Sequence, residues 1–561
     1  VSASLALYVP SASFETVKNP FGKDTANLGL FQALALHGGF DDVFVLSPQP
    51  PSEADLARGL LRGGTSPTRL HGGSLYDLQP AVQAGSLLRG KADLADLAWL
   101  RRAVSDRAYS LIGLVHTIAP PAIREHIAGS SLAPIQPWDA LICTSPAVRD
   151  SLTGMFDAWG DYLADRFGGQ GRPRPQLPLV PLGVDAPALA TQADRGDRRA
   201  ALRDRLGLGP DDVLVLWLGR LSFFEKAFPQ PMFRAVEEAC ALSGKRLCFA
   251  MGGWFPNGEL GRSLYEEAAR AYCPSVPLFI LEGNDRDEIE RMWAGADIFL
   301  SLVDNIQETF GLTPLEAMAA GLPVVASDWD GYRFTMQDGK EAFLVRTLGA
   351  PPGDAGRSMS ASHVLGLESY QAYVGTVAQH TAVDVGQAAV ALARLAQDPD
   401  LRRRMGRAGQ ERVRTQFDWP VVAAQIRGLV EDLGRERATA LAYGTRAGVT
   451  SNPVKGDPFA DFAGFATAVL SPSTRIGLRP GVTEQQARTE LQRCASVRLD
   501  GFADHWRINP AECRAVLDHL AANGAQAFSE IQSRVPPARR EAVALTLVWM
   551  CKLGILAWDV P

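Results

Sequence analysis

The chain has 561 residues, 46% of them hydrophobic and 21% charged, with a formal net charge of −6. That length is too great for one compact core and implies about three units of ~100–200 residues, while the apolar share excludes a disordered chain. The acidic balance argues against a protein that lives on DNA or RNA, which needs a basic surplus.

The first ten residues lack the basic flank and long apolar stretch of a signal peptide. Residues 5–9 form a short apolar run ending at Pro10, and a polar, Gly-containing loop follows over 11–25. Helical spacing spans 26–36 and closes at His37-Gly38-Gly39. Residues 43–46, 111–115, 140–143 and 179–180 are further apolar runs. Strands separated by helical stretches predict a parallel sheet covered on both faces over residues 1–188.

A linker rich in Ala, Asp and Arg (186–210) precedes a second set of alternating elements. Residues 213–218, 247–251, 278–281, 298–302 and 324–326 read as strands and 234–242 as a helix. Each strand is short, continuous and apolar, as burial on both faces requires. This second α/β domain spans 189–438, interrupted at 347–382 by a Pro-, Gly- and Ser-containing stretch that reads as an insertion or mobile loop. Helices resume at 383–396 and 401–415. The basic run Leu401-Arg402-Arg403-Arg404-Met405-Gly406-Arg407 reads as the wet face of a helix; peripheral contact with a membrane or a phosphorylated acceptor is the alternative.

Residues 439–483 are Gly- and Pro-rich and read as a linker. The tail 484–561 reads as helices at 484–494, 510–522, 527–534 and 539–553, loosely similar to a winged helix. From Gly501 onward it holds six basic and six acidic residues, so packing or protein contact is a better reading than DNA binding. Seven scattered cysteines without a Cys-x-x-Cys pair fit free thiols in a reducing, cytoplasmic setting and give no zinc signature. The apolar run 542–551 is about half of the ~20 residues a membrane span needs.

The informative window is Gln307-Glu308-Thr309-Phe310-Gly311-Leu312-Thr313-Pro314-Leu315-Glu316. It follows a strand and opens a helix, with Thr313 as the expected N-cap and Pro314 in the first turn. Free N–H groups and the dipole at such a mouth suit phosphate or sugar oxygens, and Gly311 lets a ligand come close. Glu316 lies three residues after Thr313, so a plain capping box is the bland alternative. Upstream, Gly219-Arg220-Leu221 follows the first strand of the second domain, with Lys226 six residues beyond Arg220.

The two glutamates with seven residues between them resemble glycosyltransferase family 4, a group of retaining enzymes. So do the Ala319-to-Ser327 run, the Gly219-Arg220…Lys226 stretch, Val180-Pro181-Leu182-Gly183-Val184-Asp185 and Phe417-Asp418-Trp419. The resemblance implies a GT-B fold: two Rossmann-like doubly wound domains facing across a cleft, here with a mainly helical C-terminal extension. It implies an acceptor-side first domain and a second domain that binds a nucleoside-diphosphate-sugar donor. Arg220 and Lys226 would grip the diphosphate, beside Gly219. Glu316 would hold the ribose and Glu308 the transferred sugar, with backbone N–H groups of Phe310, Gly311 and Leu312 meeting sugar or phosphate oxygens.

His116, after a strand of the first domain, would face the transferred sugar; a structural histidine is the even alternative. Gly22 would approach the diphosphate, although the paired glycines common in the family are missing there. After Ser327 one glycine, Gly331, stands where relatives often show two, and Arg333 is expected at the surface. The 347–382 stretch has no counterpart in the family pattern.

The resemblance implies retention of anomeric configuration and neither metal nor cofactor, the nucleotide-sugar being a substrate. The acceptor hydroxyl could belong to a glycan, a lipid-linked molecule, a protein or a small molecule. A sugar-nucleotide epimerase, a phosphorylase or a non-catalytic nucleotide-sugar-binding scaffold are the alternative readings.

Overall fold

The computed structural model describes residues 3–10, 14, 22–169, 172–443 and 450–559. Contacts divide the chain into two units, Val1–Asn452 and Pro453–Pro561. The first unit holds two parallel six-stranded sheets. One contains β1 (Ser4–Tyr8), β2 (Asp42–Ser47), β3 (Arg69–Ser74), β4 (Ser86–Arg89), β5 (Ser110–Leu114) and β6 (Ala140–Ile142), in the order β3-β2-β1-β4-β5-β6. The other contains β7 (Val213–Leu218), β8 (Leu247–Gly253), β9 (Leu278–Glu282), β10 (Ile298–Ser301), β11 (Val324–Ser327) and β12 (Ala342–Val345), in the order β12-β11-β10-β7-β8-β9. Counted from its own first strand, each sheet runs 3-2-1-4-5-6, the doubly wound Rossmann order. The expected GT-B architecture is therefore present.

The apolar runs became strands because these sheets are covered on both sides. Every residue of β2, β5, β7 and β8 is buried. Three strands of these two sheets escaped the sequence reading. β3 is Arg-Leu-His-Gly-Gly-Ser, an edge strand with no fully buried residue and no apolar run to betray it. β4 and β12 have only four residues each. The expected strand at 179–180 is reduced to an isolated bridge between Cys143 and Leu179.

Two segments pass between the halves side by side. Val184 N donates to Phe417 O (2.9 Å) and Trp419 N to Val184 O (3.2 Å). The helix Trp419–Thr439 then packs on the first half, against the helix Gly22–His37 and β5. Trp419 needs small neighbours there: a Cβ on Gly29 or Gly183 would stand 2.7 or 2.5 Å from its ring. Arg437 Nη1 donates to Ser110 Oγ at 3.0 Å. Residues 419–438, expected with the second domain, thus complete the first.

The 347–382 stretch is not an irregular loop. It is a pair of helices, Asp354–Val364 and Tyr370–Gln379, on an antiparallel ribbon of β13 (Thr347–Gly349) and β14 (Thr381–Val383). The second unit has its own core, including Ile476, Leu491, Leu517, Leu547 and Met550. Its antiparallel sheet has the order β16-β15-β17, from β15 (Arg475–Leu478), β16 (Gln526–Ala527) and β17 (Leu556–Trp558). The central strand lies inside the segment expected to be linker, so that segment is partly built into the fold. The four expected helices occupy Glu484–Ser496, Pro510–Asn523, Phe528–Ser533 and Arg540–Lys552. No helix among the described residues is long and apolar enough to cross a membrane.

Candidate functional site

In a doubly wound sheet the crevice opens at the carboxyl ends of the first and fourth strands, where the winding reverses. In the second sheet those strands are β7 and β10, which pair directly. The chain leaving β7 carries Gly219, Arg220 and Lys226; the chain leaving β10 carries Glu308 and the turn to Gly311. The two exits meet: Lys226 Nζ lies 3.0 Å from Glu308 Oε2. Arg220 Nη1 is 2.9 Å from Glu225 Oε2, with both side chains largely buried. Gly219 (φ 157°) lies so close to Gly253 that a side chain on Gly253 would run into the Gly219 carbonyl.

The helix beyond this turn spans Leu312–Ala319 with Gly311 as its N-cap, and no side chain caps it. Thr313 is therefore inside the helix, not its cap, and the capping-box explanation of Glu316 falls. Pro314 does sit in the first turn. Gly311 takes φ 87°, a left-handed conformation, and a Cβ there would strike the Tyr332 ring. Tyr332 is itself fixed by a 2.9 Å hydrogen bond between its hydroxyl and Ser301 Oγ. Phe310 is buried. The outcome is a helix mouth with no protein acceptor from a capping side chain.

Glu316 faces a cavity of about 810 Å³. The first half contributes Thr25, Gly29 and Gln32 to its wall, and the second half contributes Leu312, Glu316 and Arg286. Burial pushes the Glu316 carboxyl up to about 7. Arg220, Lys226 and Glu308 do not line this cavity: they stand at the two strand exits as the pairs Arg220–Glu225 and Lys226–Glu308, and the uncapped turn leads from Glu308 to Glu316.

His116 meets the site from the first half. Its Nε2 lies 2.9 Å from Asn27 Oδ1 and 3.1 Å from Gly90 O. Both are acceptors when Asn27 Nδ2 donates to Gly90 O (3.0 Å), so Nε2 carries the proton. Burial lowers the imidazole to about 4, and it is neutral near pH 7. The His116 carbonyl accepts from Thr309 Oγ1 at 2.7 Å, tying the first half to the turn beside Glu308. Gly22 opens the helix Gly22–His37, exposed, with nothing within 4 Å of an added Cβ. The preceding loop residues 19–21 lie outside the described residues.

A second link crosses the halves from the one-glycine loop. Asp330, at φ 31°, accepts from Ser145 Oγ at 2.5 Å. Burial, with the Glu308 charge adding to it, raises its carboxyl to about 7. Gly331 is needed where it stands, because a Cβ would come 2.6 Å from Phe310 O. Arg333 is half exposed and 3.3 Å from Asp328, as expected of a surface residue.

The sequence reading missed the supports of this cluster. Glu225, which holds Arg220, is buried, yet beside Lys226 it reads as half of a solvated charge pair. Asn305 Nδ2 donates to Phe224 O at 2.8 Å, and Phe228 N faces the buried Asp304 carboxylate at 3.4 Å. Burial raises the Asp304 carboxyl well above the usual range. These groups tie the β7 exit to the β10 exit. An Asp-Asn pair separated from a strand by two residues was the available signal.

Residues 199–348 match the family described as glycosyl transferases group 1. The D-inositol 3-phosphate glycosyltransferase of Nocardia farcinica is 30% identical over 198 residues, 33% of this chain and 42% of that protein. Its namesake in Stackebrandtia nassauensis is 34% identical over 214 residues, 37% of this chain and 43% of that protein. The chain thus spans less than half the length of these relatives. Among solved structures, HepE of Anabaena in complex with UDP is similar with a TM-score of 0.49 and 15% identity, covering 77% of this chain and 100% of its own. The residues that match the family model, 199–348, include all six strands of the second sheet and the two strand exits that carry Arg220, Lys226, Glu308 and Glu316.

Proposed function

We propose that this chain transfers a sugar from a nucleoside-diphosphate-sugar donor to an acceptor hydroxyl, with retention of anomeric configuration and without a metal. The observation that supports this best is the meeting of Arg220, Lys226, Glu308 and an uncapped helix mouth at the switch point of the second sheet. Arg220 and Lys226 face the diphosphate, which gains charge as its bond to the anomeric carbon breaks and the acceptor oxygen bonds to that carbon. The N–H groups of Phe310, Gly311 and Leu312 take sugar or phosphate oxygens. Glu316 accepts from the ribose hydroxyls and Glu308 from the sugar. The His116 carbonyl, accepting from Thr309 Oγ1, holds the first half against the turn. The seven free cysteines support a reducing, cytoplasmic setting.

The test is a thermal-shift screen of nucleoside diphosphates, followed by product analysis with the matching sugar donors. A ligand at ~100 times its dissociation constant stabilises the folded state by ~2.7 kcal/mol. A transferred sugar supports the reading. An epimerised donor, or no response to any nucleoside diphosphate, rejects it.

A further inference from the structure

The helical arm 347–383 leaves the carboxyl end of β12, the same edge of the sheet from which the β7 and β10 exits emerge. Its second helix, Tyr370–Gln379, seats on the β7 exit. Val374 and Gly375 are buried there, and a Cβ on Gly375 would stand 2.8 Å from Phe224 Cβ. Close packing is thus built into the helix, and polar links accompany it. Tyr370 Oη donates to Gln307 Oε1 at 2.7 Å. Gln307 Nε2 donates to the Glu225 carbonyl at 3.3 Å. Gln371 Nε2 reaches Glu225 Oε1 at 3.4 Å. The other carboxylate oxygen, Glu225 Oε2, takes Arg220 at 2.9 Å and Ser222 Oγ at 3.3 Å.

We propose that Tyr370 and Gln371 are positioning residues through which the arm fixes the Arg220 guanidinium for the diphosphate. The inference rests on the proposed donor site. A carboxylate has two oxygens and a free rotor. With Gln371 on Oε1 and Ser222 on Oε2, Glu225 can turn less, and Arg220 inherits that order. Tyr370 orients Gln307, whose amide donates to the Glu225 carbonyl, so it steadies the same glutamate from its backbone. The arm thereby spans both exits, holding on each a group one step removed from the ligand. A cation already aimed needs no reordering when charge develops, which is the benefit of such support.

The experiment uses the full chain, titrated calorimetrically with UDP, GDP and ADP and with the matching nucleosides uridine, guanosine and adenosine. The variants are Tyr370→Phe and Gln371→Ala, alone and combined with Arg220→Ala. Tyr370→Phe keeps the ring and its packing, and a thermal melt of each variant checks the fold. Each single variant is expected to lose about 2- to 12-fold in affinity for the nucleoside diphosphate that the wild type binds, the worth of one hydrogen bond. Affinity for the nucleoside stays unchanged, and in the Arg220→Ala background the arm variants cost nothing further. Equal losses for nucleoside and diphosphate, the same loss without Arg220, or no loss at all would overturn the inference while leaving the donor site standing. A wild type that binds none of the three diphosphates removes the donor site, and the inference with it.

Discussion

Replacing Glu316 by glutamine should move stability and ligand affinity in opposite directions. The carboxyl is raised to about 7 by burial, against an ordinary value near 4.5. A carboxylate raised on folding contributes stability below 4.5 and loses it as pH rises through 7. At pH 8 the ionised group costs up to ~3 kcal/mol relative to the unfolded chain. Glutamine carries no such cost, so the variant should be more stable than wild type at pH 8 in urea unfolding, by an amount below that ceiling. It should bind a nucleoside diphosphate worse, because hydrogen bonds from ribose hydroxyls to a charged acceptor are worth ~1.5–3 kcal/mol and those to a neutral one ~0.5–1.5. A net loss of ~1–2 kcal/mol means about 5- to 30-fold in affinity. Wild-type affinity should also fall about 3- to 8-fold from pH 8 to pH 6, where roughly a tenth of the carboxyl is ionised and the neutral form binds with the weaker affinity, while the glutamine variant stays flat. Calorimetric titration at the two pH values reads both effects. A variant that binds as tightly as wild type, or that keeps the pH dependence, would refute the ribose role of Glu316.

Arg220→Ala and Lys226→Ala should each lower turnover ~100-fold or more at saturating donor, the scale seen when a preorganised anion-stabilising donor is removed; unchanged turnover in a folded variant rejects the role. His116, lowered to about 4, is neutral when folded, so its share of stability is present above 6.5 and lost as pH falls towards 4. Urea midpoints across that window should drop by an amount equivalent to at most ~3 kcal/mol, and His116→Gln should flatten this part of the profile. Gly311→Ala places a Cβ at φ 87° and into the Tyr332 ring, so unfolding free energy should fall by ~2 kcal/mol or more in denaturant titration.

How much of this was legible depended on the range of the interactions. Strands such as β7, Val-Leu-Val-Leu-Trp-Leu, announce themselves because burial on both faces demands an unbroken apolar run. β3 has one paired neighbour and no fully buried residue, so nothing in Arg-Leu-His-Gly-Gly-Ser marks it. The site residues were readable because their spacing is local to two strand exits. The start of the helix after Phe310 was misread because Thr313, Pro314 and Glu316 imitate a capping box. The true N-cap, Gly311, is required by Tyr332, which arrives from beyond the next strand. Glu225 and the arm were missed for the same reason: Arg220, Gln307 and Tyr370 are brought together only by the fold.

The site pairs its cations within the chain, Arg220 with Glu225 and Lys226 with Glu308. An unpaired cation in such partly buried surroundings would be expensive, and the two glutamates supply the counter-charge. The two pairs differ. Arg220 is more deeply placed and has five N–H donors, so it can keep Glu225 and still reach a phosphate. Lys226, 34% exposed, is a point charge that can turn from Glu308 to an arriving phosphate. That exchange would free the Glu308 carboxylate for the sugar hydroxyls at the moment the sugar arrives. Glu308→Gln should then leave affinity for a nucleoside diphosphate unchanged or raise it by up to about fivefold, the worth of a half-exposed ion pair, because Lys226 no longer has a competitor. Turnover with the sugar donor should fall in the same variant. If affinity for the sugarless diphosphate drops together with turnover, Glu308 is acting as a brace for Lys226 and not as a place-holder, and the exchange does not occur.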